Sequence, residues 1–200
     1  MNLIPATATG VISVGGHQYL LVGGALSAPP RPALGNGLVT ALAPPGESDV
    51  PGRFAVVHTG TDTGPVRLTI DVRAEPPAGV DNGWDEIAEV SLDLALPGVV
   101  DTGVDDPGAQ GLPALPPGPI RLRAHARGRD AASVTWVEDD DPLEEHLIVV
   151  WAADPAEPVV IRQTDTFGAA LRASAALYES GTAALRVLRD VEDGGRRPPG

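Results

Sequence analysis

Apolar and polar side chains alternate along three stretches of this chain. Over 65–74, Val66, Leu68, Ile70 and Val72 alternate with Arg67, Thr69, Asp71 and Arg73. Over 88–96, Val90, Leu92, Leu94 and Leu96 alternate with Glu89, Ser91 and Asp93. Over 120–127, Leu122, Ala124 and Ala126 alternate with Arg121, Arg123, His125 and Arg127. Successive side chains of a strand point to opposite faces, so each stretch predicts a half-buried antiparallel strand with one core face and one charged face. Further strands are expected at 10–14, 17–22, 53–59, 146–152 and 159–163. Leu147-Ile148-Val149-Val150-Trp151 is continuously apolar, which places that strand centrally, covered on both faces.

The 24 Gly and 21 Pro fall in clusters between these runs and punctuate short strands. Loops are expected at 29–51, 76–83, 99–119 and 138–142, with a tight turn at Gly35-Asn36-Gly37 and a hairpin between the first two strands at Gly15-Gly16. No alternation of strand and helix patterns occurs, which argues against a parallel doubly wound sheet. From Phe167 the period changes: Phe167, Leu171, Ala175 and Tyr178 lie at helical spacing, with Asp165 or Thr166 placed as the N-cap. A second, shorter helical segment is expected from Thr182. The resulting fold is mainly β: a single antiparallel β-sandwich over 1–165, a helical extension over 166–191 that packs on the sandwich, and a disordered tail over 192–200.

Charge narrows the function classes. Fourteen Arg, no Lys and 27 acidic residues give a net charge of −13. Phosphate neutralisation needs basic residues in excess, so nucleic acid is not the expected partner, and an anionic membrane surface is disfavoured for the same reason. No stretch reaches the length of a membrane span and no signal peptide is evident at the start, so a cytoplasmic location is expected. The absence of Cys removes disulfides, thiolate metal sites and thiol nucleophiles.

Little catalytic chemistry remains. The four histidines, His17, His58, His125 and His146, form no HxH, HxxxH or HExxH arrangement, and no Gly-x-Ser-x-Gly elbow, phosphate loop or dinucleotide fingerprint is present. The acidic run over 138–145 is contiguous and lacks the alternating ligands and glycine of a calcium loop. No catalytic residue, cofactor or metal site is expected. Glu138, Asp139, Asp140, Asp141, Glu144 and Glu145 instead form an acidic connection on a β scaffold, the candidate surface for a basic protein partner steered by long-range attraction. Arg121, Arg123, His125 and Arg127 form a second candidate surface, unless they are consumed by cross-strand pairs with Glu89 and Asp93. Two other readings remain open: a ligand-binding or catalytic pocket between the sheets using His17 or His125, and an assembly role for the Ala-rich helix.

Val11-Ile12-Ser13-Val14, followed by Gly15-Gly16-His17-Gln18-Tyr19-Leu20-Leu21-Val22, resembles the opening of the competence protein J family. The segment from Leu115 through Pro117-Gly118 to Asp130, then Glu144 to Trp151, is similar to that family's layout of strand, acidic linker and strand ending near Trp. The string Arg123-Ala124-His125-Ala126-Arg127-Gly128-Arg129-Asp130 also resembles uncharacterised actinobacterial proteins. The resemblance covers about 50 residues and implies inhibition of a DNA-entry nuclease by direct binding, with no catalytic residues carried over. Pro119-Ile120, where the family tends to have an aromatic residue, and the Ala-rich segment after Phe167 depart from its pattern. The expected function is therefore a non-enzymatic protein-binding module of the nuclease-inhibitor or immunity type.

Overall fold

A computed structural model of the chain describes residues 4–24, 35–43, 52–135 and 141–177. In chain order the elements are β1 (Ala6–Gly15), β2 (Gln18–Val22), β3 (Val39–Leu42), β4 (Phe54–His58), β5 (Thr63–Val72), β6 (Glu86–Leu94), β7 (Val99–Asp101), α1 (Pro107–Gln110), β8 (Gly118–Arg127), α2 (Arg129–Ala132), β9 (Glu145–Ala152) and β10 (Val159–Gln163). A third helix, α3, occupies 166–177. The expected second helical segment from Thr182 and the tail from Glu192 lie outside the described residues.

The strands form two sheets, one of order β1-β5-β9-β8-β6-β10 and one of order β3-β4-β2-β7. Alternation along the chain becomes burial on one face: Val66, Leu68, Ile70 and Val72 of β5, Val90, Leu92 and Leu94 of β6, and Leu122, Ala124 and Ala126 of β8 are all buried. Leu96 falls beyond the end of β6 and is exposed. These side chains share one core with Tyr19, Leu21, Val39, Ala55 and Val57 of the second sheet, so each sheet covers the apolar face of the other. The apolar run of β9 lies between β5 and β8, as its lack of a polar face predicts.

Three features differ from the sequence reading. First, the sheets are not wholly antiparallel, because β5 and β9 pair in parallel. β9 is antiparallel to β8, so β5 and β8 run in opposite directions and a strand seated between them must parallel one of them. Second, β1 and β2 form no hairpin. β1 pairs with β5, whereas β2 pairs with β4 and β7 in the other sheet. Gly16 and His17 both adopt left-handed φ, 67° and 59°, and the chain crosses between sheets there. The His17 ring is held by the Thr59 carbonyl, 3.2 Å from Nδ1, and by the Phe167 ring at 5.4 Å. Third, the side of β8 expected to face solvent is covered at two positions. Arg121 and His125 are only 5% and 4% exposed. The 153–158 segment crosses Arg121, and Trp84 packs against the His125 ring at 5.5 Å.

Candidate functional site

The acidic connection into β9 divides by strand phase. Glu138, Asp139 and Asp140 lie outside the described residues. Asp141 is 92% exposed at its side chain and accepts from Arg67 Nη2 at 3.2 Å. Glu145 points outward, accepts from Arg127 Nε at 3.0 Å and faces Arg67 Nε at 3.6 Å. Glu144, one residue earlier, points inward and is fully buried, so it presents nothing to a partner. Among the described residues of this connection the outward acids are Asp141 and Glu145, and both are in contact with arginines.

Glu144 anchors an interior polar network. Its Oε1 accepts from the Gly60 amide at 3.0 Å and His146 Nε2 at 2.8 Å; its Oε2 accepts from the Thr61 amide at 2.8 Å and Thr61 Oγ1 at 2.9 Å. A carboxylate only accepts, so Nε2 of His146 carries a proton, and Nδ1 lies 3.1 Å from the Tyr19 hydroxyl. Burial alone would raise the Glu144 carboxyl. The hydrogen bond and charge of His146, with the bonds from Thr61, outweigh it and hold the group below its ordinary value. Burial, reinforced by the Glu144 charge, pushes the Tyr19 hydroxyl well above its ordinary range. Tyr19, His146 and Glu144 have the order of a proton relay, but all three are sealed from solvent. What they do is join β2, the 59–61 turn and β9.

A second buried network fastens α3. Gly128, at φ 79°, turns the chain out of β8 so that Arg129 enters the interior; a Cβ at 128 would meet the Leu143 carbonyl at 2.2 Å. Arg129 is fully buried and grips Asp165 through Nε and Nη2, at 2.6 and 2.9 Å, while Nη1 donates to the carbonyls of Gly37 and His58. Its guanidinium lies 5.4 Å from the centre of the Phe167 ring. Asp165 also caps α3 through the Gly168 amide, and Asp130 accepts from the amides of Thr166 and Phe167. Arg172 of α3 reaches buried Glu86 at 3.1 Å. The described part of α3 is therefore bound to its own chain.

Burial of Glu86, opposed by its bond to Arg172 and supported by the Asp165 charge, pushes its carboxyl up to about 7 from 4.5. Between those values the folded chain holds a proton that the unfolded chain has released, so this contribution is present below pH 4.5 and lost as pH rises to about 7. Glu86→Gln removes the titration. Urea unfolding across that pH range is expected to show the native chain losing stability relative to Glu86→Gln as pH rises; a constant difference contradicts the assignment.

The arginine row on β8 is paired in its own sheet. Glu89, opposite Arg123 in register, accepts from Arg121 Nε at 3.1 Å and Arg123 Nε at 2.7 Å. Arg123 also donates to the Gly79 carbonyl. Arg127 pairs with Glu145 and lies 5.0 Å from the Trp84 ring. Asp93, the other expected partner, is opposite Pro119 at the strand end and takes no part. His125 sits on the face of β8 opposite the core residues Ala124 and Ala126, and burial lowers its pKa. Its ring does not line a space between the sheets. Among the described residues no group of three or more His, Asp or Glu side chains is placed to hold a metal ion.

The signs of charge are thus unevenly spent. Arg67, Arg73, Arg121, Arg123, Arg127, Arg129 and Arg172 all face carboxylates of the same chain. Arg162 donates to the Asp81 and Trp84 carbonyls and to Asn82. Asp101 and Asp105 have neutral hydrogen-bond donors for partners.

No protein-family model matches the chain, and no curated protein matches it in sequence. Two solved structures are similar in fold. ComJ from Bacillus subtilis, described as an inhibitor of the DNA degrading activity of NucA, is 9% identical with a TM-score of 0.50, over 76% of this chain and 100% of its own. The product of crocagin biosynthetic gene J is 16% identical with a TM-score of 0.41, over 75% of this chain and 99% of its own. At 9% identity the likeness to ComJ is one of fold alone.

Proposed function

We propose that this chain is a non-enzymatic protein-binding module, a two-layer β-sandwich of the inhibitor or immunity type whose partner is a basic nuclease or toxin in the cytoplasm. The observation that carries this reading is the use of charge: acidic residues exceed arginines by 13 over the chain, and seven of the 14 arginines face carboxylates within the fold. Such a surface attracts a basic partner from beyond contact range, as complementary potentials do in fast association. The fold likeness to ComJ supports a nuclease as the class of partner, because it shows that this architecture can present an inhibitory surface; a shared fold alone does not carry function. Of the two histidines that a pocket reading would use, His125 lies under Trp84, and His17 is held by the Thr59 carbonyl and the Phe167 ring where the chain crosses between the sheets.

The experiment is DNA hydrolysis by a basic, non-specific endonuclease of the same organism, titrated with this protein. Protection that saturates at a fixed stoichiometry and weakens with added salt is expected. Undiminished hydrolysis at a large excess of the protein, at low salt, contradicts the proposal.

A further inference from the structure

β7 is the last strand of its sheet, and its outer edge is only partly occupied. Gly98, just before β7, exchanges both backbone hydrogen bonds with Leu115 at 2.8 Å. In an antiparallel ladder the bonding groups of successive residues point to opposite edges, so the N–H and C=O of Val100 face the same edge as those of Gly98. Two residues further along this register, Val100 would oppose Pro113, which has no N–H to donate. The pairing stops there, and no backbone bond from the described chain meets Val100 on that edge. A groove of about 360 Å³ opens between β7 and the 104–114 segment. Leu112 is half-buried in its wall, while Val99 and Val104 are 53% and 65% exposed. Asp101 and Asp105 also line it. Their Oδ1 atoms accept from the Gly103 amide and Gln110 Nε2, and neither carboxylate faces a cation among the described residues.

We propose that this groove seats an extended segment of a partner protein. The segment is added as a strand against Val100, with an Arg or Lys side chain between Asp101 and Asp105 and an apolar side chain against Val99, Val104 and Leu112. An unpaired edge supplies backbone affinity, and flanking side chains supply the choice of sequence. A second copy of this chain is the wrong occupant, because two molecules of net charge −13 would bring carboxylate rims together. The inference rests on the protein-binding reading and locates its contact.

The probe is a short synthetic peptide of Thr-Val-Thr-Arg repeats, which sets Val and Arg two residues apart on one face as Val99 and Asp101 are, compared with one in which Glu replaces Arg, titrated into the isotopically labelled full chain. The Val/Arg peptide is expected to shift the amide resonances of Val99, Val100 and Asp101, to slow exchange of the Val100 amide, and to bind less tightly as salt is added. The Val/Glu peptide should leave them unchanged. The double variant Asp101→Asn, Asp105→Asn should weaken Val/Arg binding about tenfold while the melting temperature holds. Val100→Pro, which removes the outward donor, should abolish the Val100 contact; where that variant loses its fold, the Asn pair and exchange of the native chain decide. Equal binding of both peptides, shifts confined to another edge, or self-association of the native chain overturns the inference. Nuclease inhibition retained in full by the Asp101→Asn, Asp105→Asn pair overturns the groove and leaves the inhibitor reading intact. Peptide docking at Val100 without inhibition of any nuclease does the reverse.

Discussion

Arg129→Met is expected to lower the unfolding free energy by about 3–5 kcal/mol, the usual cost of leaving one half of a buried ion pair alone. Asp165 would remain 5% exposed without its cation, and the carbonyls of Gly37 and His58 would lose a donor. The loss should be felt first in α3, because Asp165 and Phe167 lie at its start and both contact Arg129. Urea unfolding gives the magnitude. Amide exchange locates it, with Gly168 and its neighbours opening before β5, β8 or β9. Adding Asp165→Asn to Arg129→Met removes the orphaned charge and should restore part of the loss, whereas simple additivity of the two changes contradicts the pairing.

A similar loss, about 3–5 kcal/mol, is expected for Glu144→Leu, which strands the amides of Gly60 and Thr61, the Thr61 hydroxyl and the His146 ring N–H in the interior. Glu144→Gln, though nearly the same shape, should also destabilise, because its amide nitrogen would face donors where the carboxylate accepted. The pH dependence has a definite sign. A carboxyl held below its ordinary value contributes stability that is present above 4.5 and lost as pH falls through the folded value. The native chain should therefore lose stability on acidification more steeply than Glu144→Gln, and parallel acid profiles contradict the network.

These networks were only partly legible in the sequence. The alternation in β5, β6 and β8 is visible because each has a clean apolar face, and β9 is visible because five apolar residues follow one another. Strand direction leaves no such trace, so the parallel pairing of β5 with β9 could not be read. β3 and β7 span four and three residues, too short to show a period. Glu144 is harder to see because it belongs to an acidic run. Its inward direction was nonetheless encoded: Glu144 and His146 are in phase with Ile148 and Val150, all on the core side. Arg121 and His125 mislead for the opposite reason, since their face of β8 is polar in sequence yet is covered by Trp84 and the 153–158 segment, which period alone cannot place. Arg129 follows a glycine at a strand end, a position that ordinarily signals a surface turn.

On the proposed function, the excess of carboxylates speeds the approach of a basic protein. Stopped-flow association with the inhibited nuclease, measured as ionic strength is raised, tests it most directly: the rate constant should fall steeply with salt while dissociation changes little. An association rate that stays level from low to high salt would contradict it.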